Sequence, residues 1–198
     1  MRTWQRIASP LVLLALLAPA LSVLAAPPRP DGPASPLSFC SESDRFGVWD
    51  VTNGVNVYDV EELHAGWYTK WTVVPQPSHP GGMRAVQLVR VSNDGPFTGQ
   101  ACSKCPTWDQ VAAIAQANPG SLWFIGNEPD RQDWIEAERY AQIYYDFYHF
   151  LKDEDPTSEV GIGGVVQPTP IRLQYLDRIL DAYQDQYSGA MPVDVWNT

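Results

Sequence analysis

The stretch Trp123-Phe124-Ile125-Gly126-Asn127-Glu128-Pro129-Asp130 is an apolar run that ends abruptly in an amide, a carboxyl and a proline. A carboxyl emerging from apolar surroundings into a cleft is suited to giving and taking a proton, which makes Glu128 the candidate general acid/base. Asn127 beside it offers a donor and an acceptor that fit a ligand hydroxyl. Taken alone, Asn-Glu-Pro would serve equally well as a turn or a helix cap, so its meaning depends on its setting. Other polar and aromatic residues fall at the ends of β-like runs: Trp49 with Asp50, Lys70 with Trp71, Arg90, Gln167, and Trp196 with Asn197. Indoles stack on the faces of polyhydroxylated ligands and polar tips hold their hydroxyls. Trp49, Trp71, Arg90, Gln167, Trp196 and Asn197 are therefore candidate substrate-binding residues, although packing or a solvated loop end accounts for any one of them alone.

Other chemistries find less support. Gly161, Gly163 and Gly164 approach a dinucleotide loop, but Val166 stands where the third glycine belongs and Gln167-Pro168-Thr169-Pro170 replaces the acidic and helical context. There is no Gly-x-Ser-x-Gly nucleophile elbow and no Walker loop. His64, His79 and His149 lack a metal-ligand spacing, and no metal or organic cofactor is expected. Cys102 and Cys105 form a Cys-x-x-Cys without a thioredoxin-like pattern around it, and as zinc ligands they would need His79 from far away. With Cys40 they predict one structural disulfide, either within the pair or from Cys40 to one of its members, and one thiol left over.

The elements that must position Glu128 are short β-like runs, each followed by a turn and a helical or polar stretch, the alternation of a parallel sheet wrapped by helices. They are Phe46–Trp49, Gly66–Trp71, Ala85–Val91, Leu122–Ile125, Val160–Val166 and Val193–Trp196, six in all. A helix is predicted from Trp108 to Ala117. Asp133 and Glu136 have capping-box spacing ahead of Ala137, Tyr140, Ala141, Tyr144, Phe147, Tyr148 and Leu151, a helical face that Asp155-Pro156 stops. Thr169 and Pro170 start another helix, with Leu173, Leu176, Leu180, Tyr183 and Tyr187 on one face and Gly189 at its end. These aromatics at helical spacing are core residues in this reading.

Asn127-Glu128-Pro129 after a fourth strand resembles the acid/base motif of glycoside hydrolase clan A, and Gly126 to Asp130 is similar to the Asn-Glu-Pro-Asp signature of the alkali-sensitive-linkage-type glycosyl hydrolases. The resemblance covers roughly residues 46 to 198. It implies a retaining O-glycosyl hydrolase on a (β/α)8 barrel, Glu128 protonating the leaving glycosidic oxygen, and Asn127 holding a sugar hydroxyl. A retaining site also needs an ionised nucleophilic carboxylate about 5–5.5 Å from the acid. The clan carries it on the seventh strand, whereas only about six strands are legible here. The expectation is an incomplete TIM barrel whose nucleophile is unassigned, inactive alone, with Asp50 and Asp94 as weak substitutes. The alternative is a non-catalytic carbohydrate-binding or cell-surface barrel.

Arg2 and Arg6, an apolar run from Leu11 to Leu24, and Ala25-Ala26 have the order of a secretory signal peptide, read here as residues 1–25. Residues 26–38, rich in Pro, Gly, Ala and Ser, read as a linker, leaving 39–198 as one partial hydrolase domain. The protein is expected to be secreted or extracytoplasmic, with no membrane span after cleavage. A net charge of −10 without a basic stripe argues against nucleic acid and leaves a carbohydrate as the expected partner.

Overall fold

The computed structural model describes residues 46–49, 54–93 and 105–197. The expected signal peptide and linker, together with Cys40, Asp50, Asp94 and Cys102, lie outside the described residues. Among the described residues five strands, β1 (Gly47–Trp49), β2 (Trp67–Thr69), β3 (Arg84–Val89), β4 (Leu122–Ile125) and β5 (Glu159–Ile162), form one sheet. They are parallel throughout and lie in sequence order. The helices are α1 (Val60–Leu63), α2 (Trp108–Ala117), α3 (Ala137–Glu154) and α4 (Pro170–Tyr187). This is an α/β architecture that matches part of a TIM barrel.

Successive side chains alternate between the two faces of a strand, and the register sorts them cleanly. Trp67, Val86, Leu88, Leu122, Phe124 and Val195 pack together on the inner face. Val89, Trp123, Ile125, Val160 and Ile162 point the other way into a larger core with α2, α3 and α4. Such two-sided burial is why these strands read as continuous apolar runs. Two glycines that resemble a phosphate loop in sequence have packing roles. A Cβ on Gly161 would stand 2.6 Å from the Phe124 ring, and one on Gly163 would stand 2.6 Å from the carbonyl oxygen of Ile125.

The expected sixth strand is reduced to a single parallel bridge between Gly161 and Val195. Beside it, the Asp194 carboxylate accepts the Val160 N–H at 2.9 Å, so a side chain takes the place of a ladder carbonyl. The helix limits agree with the apolar spacing, but the caps do not all follow. The capping box sits at Thr107 and Gln110 of α2. At α3 the N-cap is Glu136, with no side-chain cap bond, and Asp133 does not cap the helix. α4 ends on Ser188 in the left-handed conformation, one residue before Gly189.

α3 is tied to the sheet by buried phenols. Tyr144 donates to the carbonyl of Val160 at 3.2 Å, and Tyr140 donates to that of Ile125 while accepting the Gly163 N–H at 2.8 Å. Burial pushes both phenols far above the ordinary tyrosine range, so they stay protonated donors.

Candidate active site

Chain direction changes where β4 ends. Gly126 donates to the Val89 carbonyl at 2.7 Å and takes φ 88°, a conformation that favours glycine. A Cβ there would also press on Tyr140 at 3.2 Å and Val91 at 3.3 Å. Two residues on, Glu128 has φ 45°, left-handed for a residue with a side chain. Its carbonyl accepts the N–H groups of Arg131 and Gln132, both at 2.8 Å, which closes a tight turn.

The loop from Gly126 to Glu136 is anchored on both sides by buried charge. Asp130 accepts the Val166 N–H at 3.2 Å and pairs with Arg172 of α4. Asp133 takes the guanidinium of Arg90, just past β3, with Arg90 Nε at 2.7 Å from Oδ1. Its second oxygen accepts the Asn127 N–H at 2.8 Å. The Asn127 side-chain amide donates to Gln132 Oε1 at 3.0 Å. Glu128 is half-buried, and its Oε2 is fully buried with no hydrogen-bond partner.

A cleft of about 270 Å³ opens at the C-terminal end of the inner face. Trp49, Trp67, Leu88 and Phe124 make its apolar wall, and Thr69, Asn127 and Asn197 supply polar groups. Mostly apolar walls with a few polar groups are the usual composition of a small-molecule site. Of the residues singled out from sequence, the cleft brings together Trp49, Asn127 and Asn197. Trp71 packs its ring against Trp49 at a centroid distance of 4.0 Å. Glu128 does not line this cleft. Arg90 is committed to Asp133, Gln167 is exposed between β5 and α4, and Trp196 is 54% exposed outside the cleft wall. Trp67 and Thr69 of the cleft are not singled out from sequence, although the alternation of β2, which puts both on one face, is a signal that could have found them. No local signal marks Asp133 as a partner of Arg90. Among the described residues no group of three or more His, Cys, Asp or Glu side chains could hold a metal ion. Nor is any helix among them long and apolar enough to cross a membrane.

No protein-family model and no curated protein matches the chain. Three solved structures match the chain. One is a variant GH128 (subgroup I) endo-β-1,3-glucanase from Amycolatopsis mediterranei in complex with laminarihexaose, with 20% identity, TM-score 0.52, and coverage of 76% of this chain and 54% of that one. Another is a GH128 (subgroup II) endo-β-1,3-glucanase from Sorangium cellulosum, with 21% identity, TM-score 0.46, and coverage of 67% and 50%. The third is a GH128 (subgroup VII) oligosaccharide-binding protein from Trichoderma gamsii, with 14% identity, TM-score 0.36, and coverage of 74% and 65%. The chain spans about half the length of the first two. At 20% identity the first likeness establishes a shared fold and nothing finer.

Proposed function

We propose that this chain carries the proton-donating side of a retaining O-glycosyl hydrolase site, with Glu128 as general acid/base and Asn127 as the amide that holds a sugar hydroxyl. The observation that carries the reading is the buried, unpartnered Oε2 of Glu128, on a left-handed residue directly after Asn127 of the cleft. Leaving a buried polar atom unpaired costs about 1–3 kcal/mol. Holding a non-glycine residue in the left-handed region costs a further ~1–3 kcal/mol. Two such costs at one residue are the mark of a group kept for chemistry. The position agrees, since barrel enzymes build their sites at the C-terminal ends of strands. Residues 1–25, read as an export signal, give the reaction an extracytoplasmic carbohydrate as its substrate.

In this reading the Glu128 carboxyl, which adjoins Asn127 of the cleft without lining it, turns to the bound sugar and, protonated, gives its proton to the glycosidic oxygen as the bond from that oxygen to the anomeric carbon breaks. The leaving sugar departs as an alcohol and a second carboxylate bonds to the anomeric carbon. Glu128, now ionised, then takes a proton from the water that releases the second sugar, which returns both carboxyls to their starting state. Asn127 donates to a ring hydroxyl, a bond that strengthens in the transition state. The Trp49 indole offers a face for a pyranose ring. No described residue is assigned as the nucleophile.

The test compares wild type and Glu128→Gln, each in a chain extended through the eighth strand of the barrel, on laminarihexaose, the ligand seen with the first similar enzyme, and on a dinitrophenyl glucoside. Losing the proton donor should slow laminarihexaose turnover by about 10²–10⁴-fold. Bond cleavage in the dinitrophenyl substrate, whose leaving group needs no proton, should change far less. Equal slowing on both would sink the acid/base assignment. Saturable laminarihexaose binding with no turnover by the extended wild type would favour the non-catalytic carbohydrate-binding barrel instead.

A further inference from the structure

Asp133 has a helix-capping sequence context yet spends its carboxylate elsewhere, and where it spends it points to the site. Its side chain is 1% exposed and both oxygens are occupied. Oδ1 is held by the Arg90 guanidinium through Nε at 2.7 Å and a second nitrogen. Oδ2 accepts the Asn127 N–H at 2.8 Å and lies 3.5 Å from the Val91 nitrogen. A carboxylate fixed by a guanidinium fork has little freedom to move. It therefore sets the height and direction of the Asn127 backbone above the end of β4. The adjoining peptide belongs to Glu128, whose left-handed φ must be imposed by its surroundings because the residue does not favour it. Arg90 continues the inward-facing alternation of β3 after Leu88, and neutralisation by Asp133 takes its charge out of contention as a sugar ligand.

We propose that Asp133, locked by Arg90, is a positioning residue that places Asn127 and the turn at Glu128 for sugar binding. The proposal rests on the reading of Asn127 and Glu128 given above. Asp133 touches no substrate and acts wholly through Asn127.

Laminarihexaose affinity of the full chain tests it in a double-mutant cycle of Asn127→Ala and Asp133→Asn. Asp133→Asn should weaken binding at least tenfold, close to the loss caused by Asn127→Ala. The double variant should be no weaker than Asn127→Ala, because residues acting through one contact are non-additive. Should Asp133→Asn fail to fold, Arg90→Lys replaces it, since a lysine keeps the charge but loses the fork and should give an intermediate loss. Asn93→Ala is the control for loop loosening. Asn93 holds the far end of the same loop through the Trp134 carbonyl at 2.6 Å and the Glu136 N–H at 3.3 Å, without touching Asn127. That variant should stay within twofold of wild type. If Asn127→Ala weakens binding but Asp133→Asn and Arg90→Lys do not, or if Asn93→Ala weakens it equally, the positioning role is wrong and the site reading stands. If wild type binds no laminarihexaose, or Asn127→Ala binds as wild type does, the site reading fails and takes this proposal with it.

Discussion

At Glu128 the backbone holds a conformation that glycine adopts freely and glutamate resists. Glu128→Gly should remove the strain and the orphaned carboxyl oxygen together, a relief of ~2–6 kcal/mol from the two costs. Against this stands the greater freedom of glycine in the unfolded chain, about 0.5–1 kcal/mol. A net gain of at least about 1 kcal/mol is expected, which raises Tm by roughly 2–4 °C for a chain of this size. Sugar turnover should disappear. A thermal melt that shows no gain would remove the argument that the residue is retained at a cost to stability. The Asn127-Glu128 pair is legible in sequence because its signal is local: an apolar strand stops and an amide and a carboxyl follow. Asp133 is not legible in the same way. Its spacing to Glu136 reads as a capping box worth about 1 kcal/mol, but charge-assisted bonds of ~1.5–3 kcal/mol each are available from Arg90, 43 residues earlier. The stronger interaction wins, and nothing near Asp133 in the chain announces it.

Between α3 and β5 a single carboxylate organises two turns. Asp155 accepts the Gly120 N–H at 2.8 Å, the Thr157 N–H at 3.0 Å and the hydroxyls of Thr157 and Ser158, so it joins the α2–β4 turn to the α3–β5 turn. Burial by itself would raise its pKa, but the hydrogen bonds from Thr157, Gly120 and Ser158 outweigh that and hold it below the usual carboxylate value. Because the folded value is the lower one, the ionised form stabilises the fold fully above the unfolded value of about 3.9. That contribution is lost as pH falls through the depressed folded value. Asp155→Asn should therefore cost roughly 1–3 kcal/mol at pH 7. It should also melt with a shallower loss of Tm below about pH 4 than wild type does. Parallel acid profiles for the two proteins would show that Asp155 gives the fold no such pH-dependent support. The sequence marks Asp155-Pro156 as the stop of α3, and α3 does end at Glu154. The bond to Gly120 depends on two turns meeting at the same end of the sheet, which no local pattern records. The same limit applies to the expected sixth strand, where apolar alternation around Val195 is real but the Asp194 carboxylate occupies a ladder position.

At the scale of the molecule, the parallel plan is readable because strands largely buried on both faces leave short, mainly apolar runs, and amphipathic helices separate the later ones. The disulfide pairing is not readable, because three cysteines admit more than one partner for each. Cys105 is disulfide-bonded, and its candidate partners, Cys40 and Cys102, lie outside the described residues. Cys105 stands two residues before Thr107, the N-cap of α2, so the bond pins the approach to that helix. Thiol titration of the denatured, unreduced protein should find one free thiol, and three would remove the disulfide. The loss of stability on reduction then separates the pairings, since cross-linking restricts the unfolded chain more for longer loops. Closing the four-residue loop from Cys102 contributes about 2 kcal/mol, whereas closing a loop of about 65 residues from Cys40 contributes about 4 kcal/mol. At roughly 2–4 °C per kcal/mol, reduction with a phosphine should lower Tm by about 4–8 °C for the short loop and about 8–16 °C for the long one. A Cys40→Ser variant checks the assignment independently: it should melt like the oxidised wild type if Cys102 is the partner, and like the reduced protein if Cys40 is.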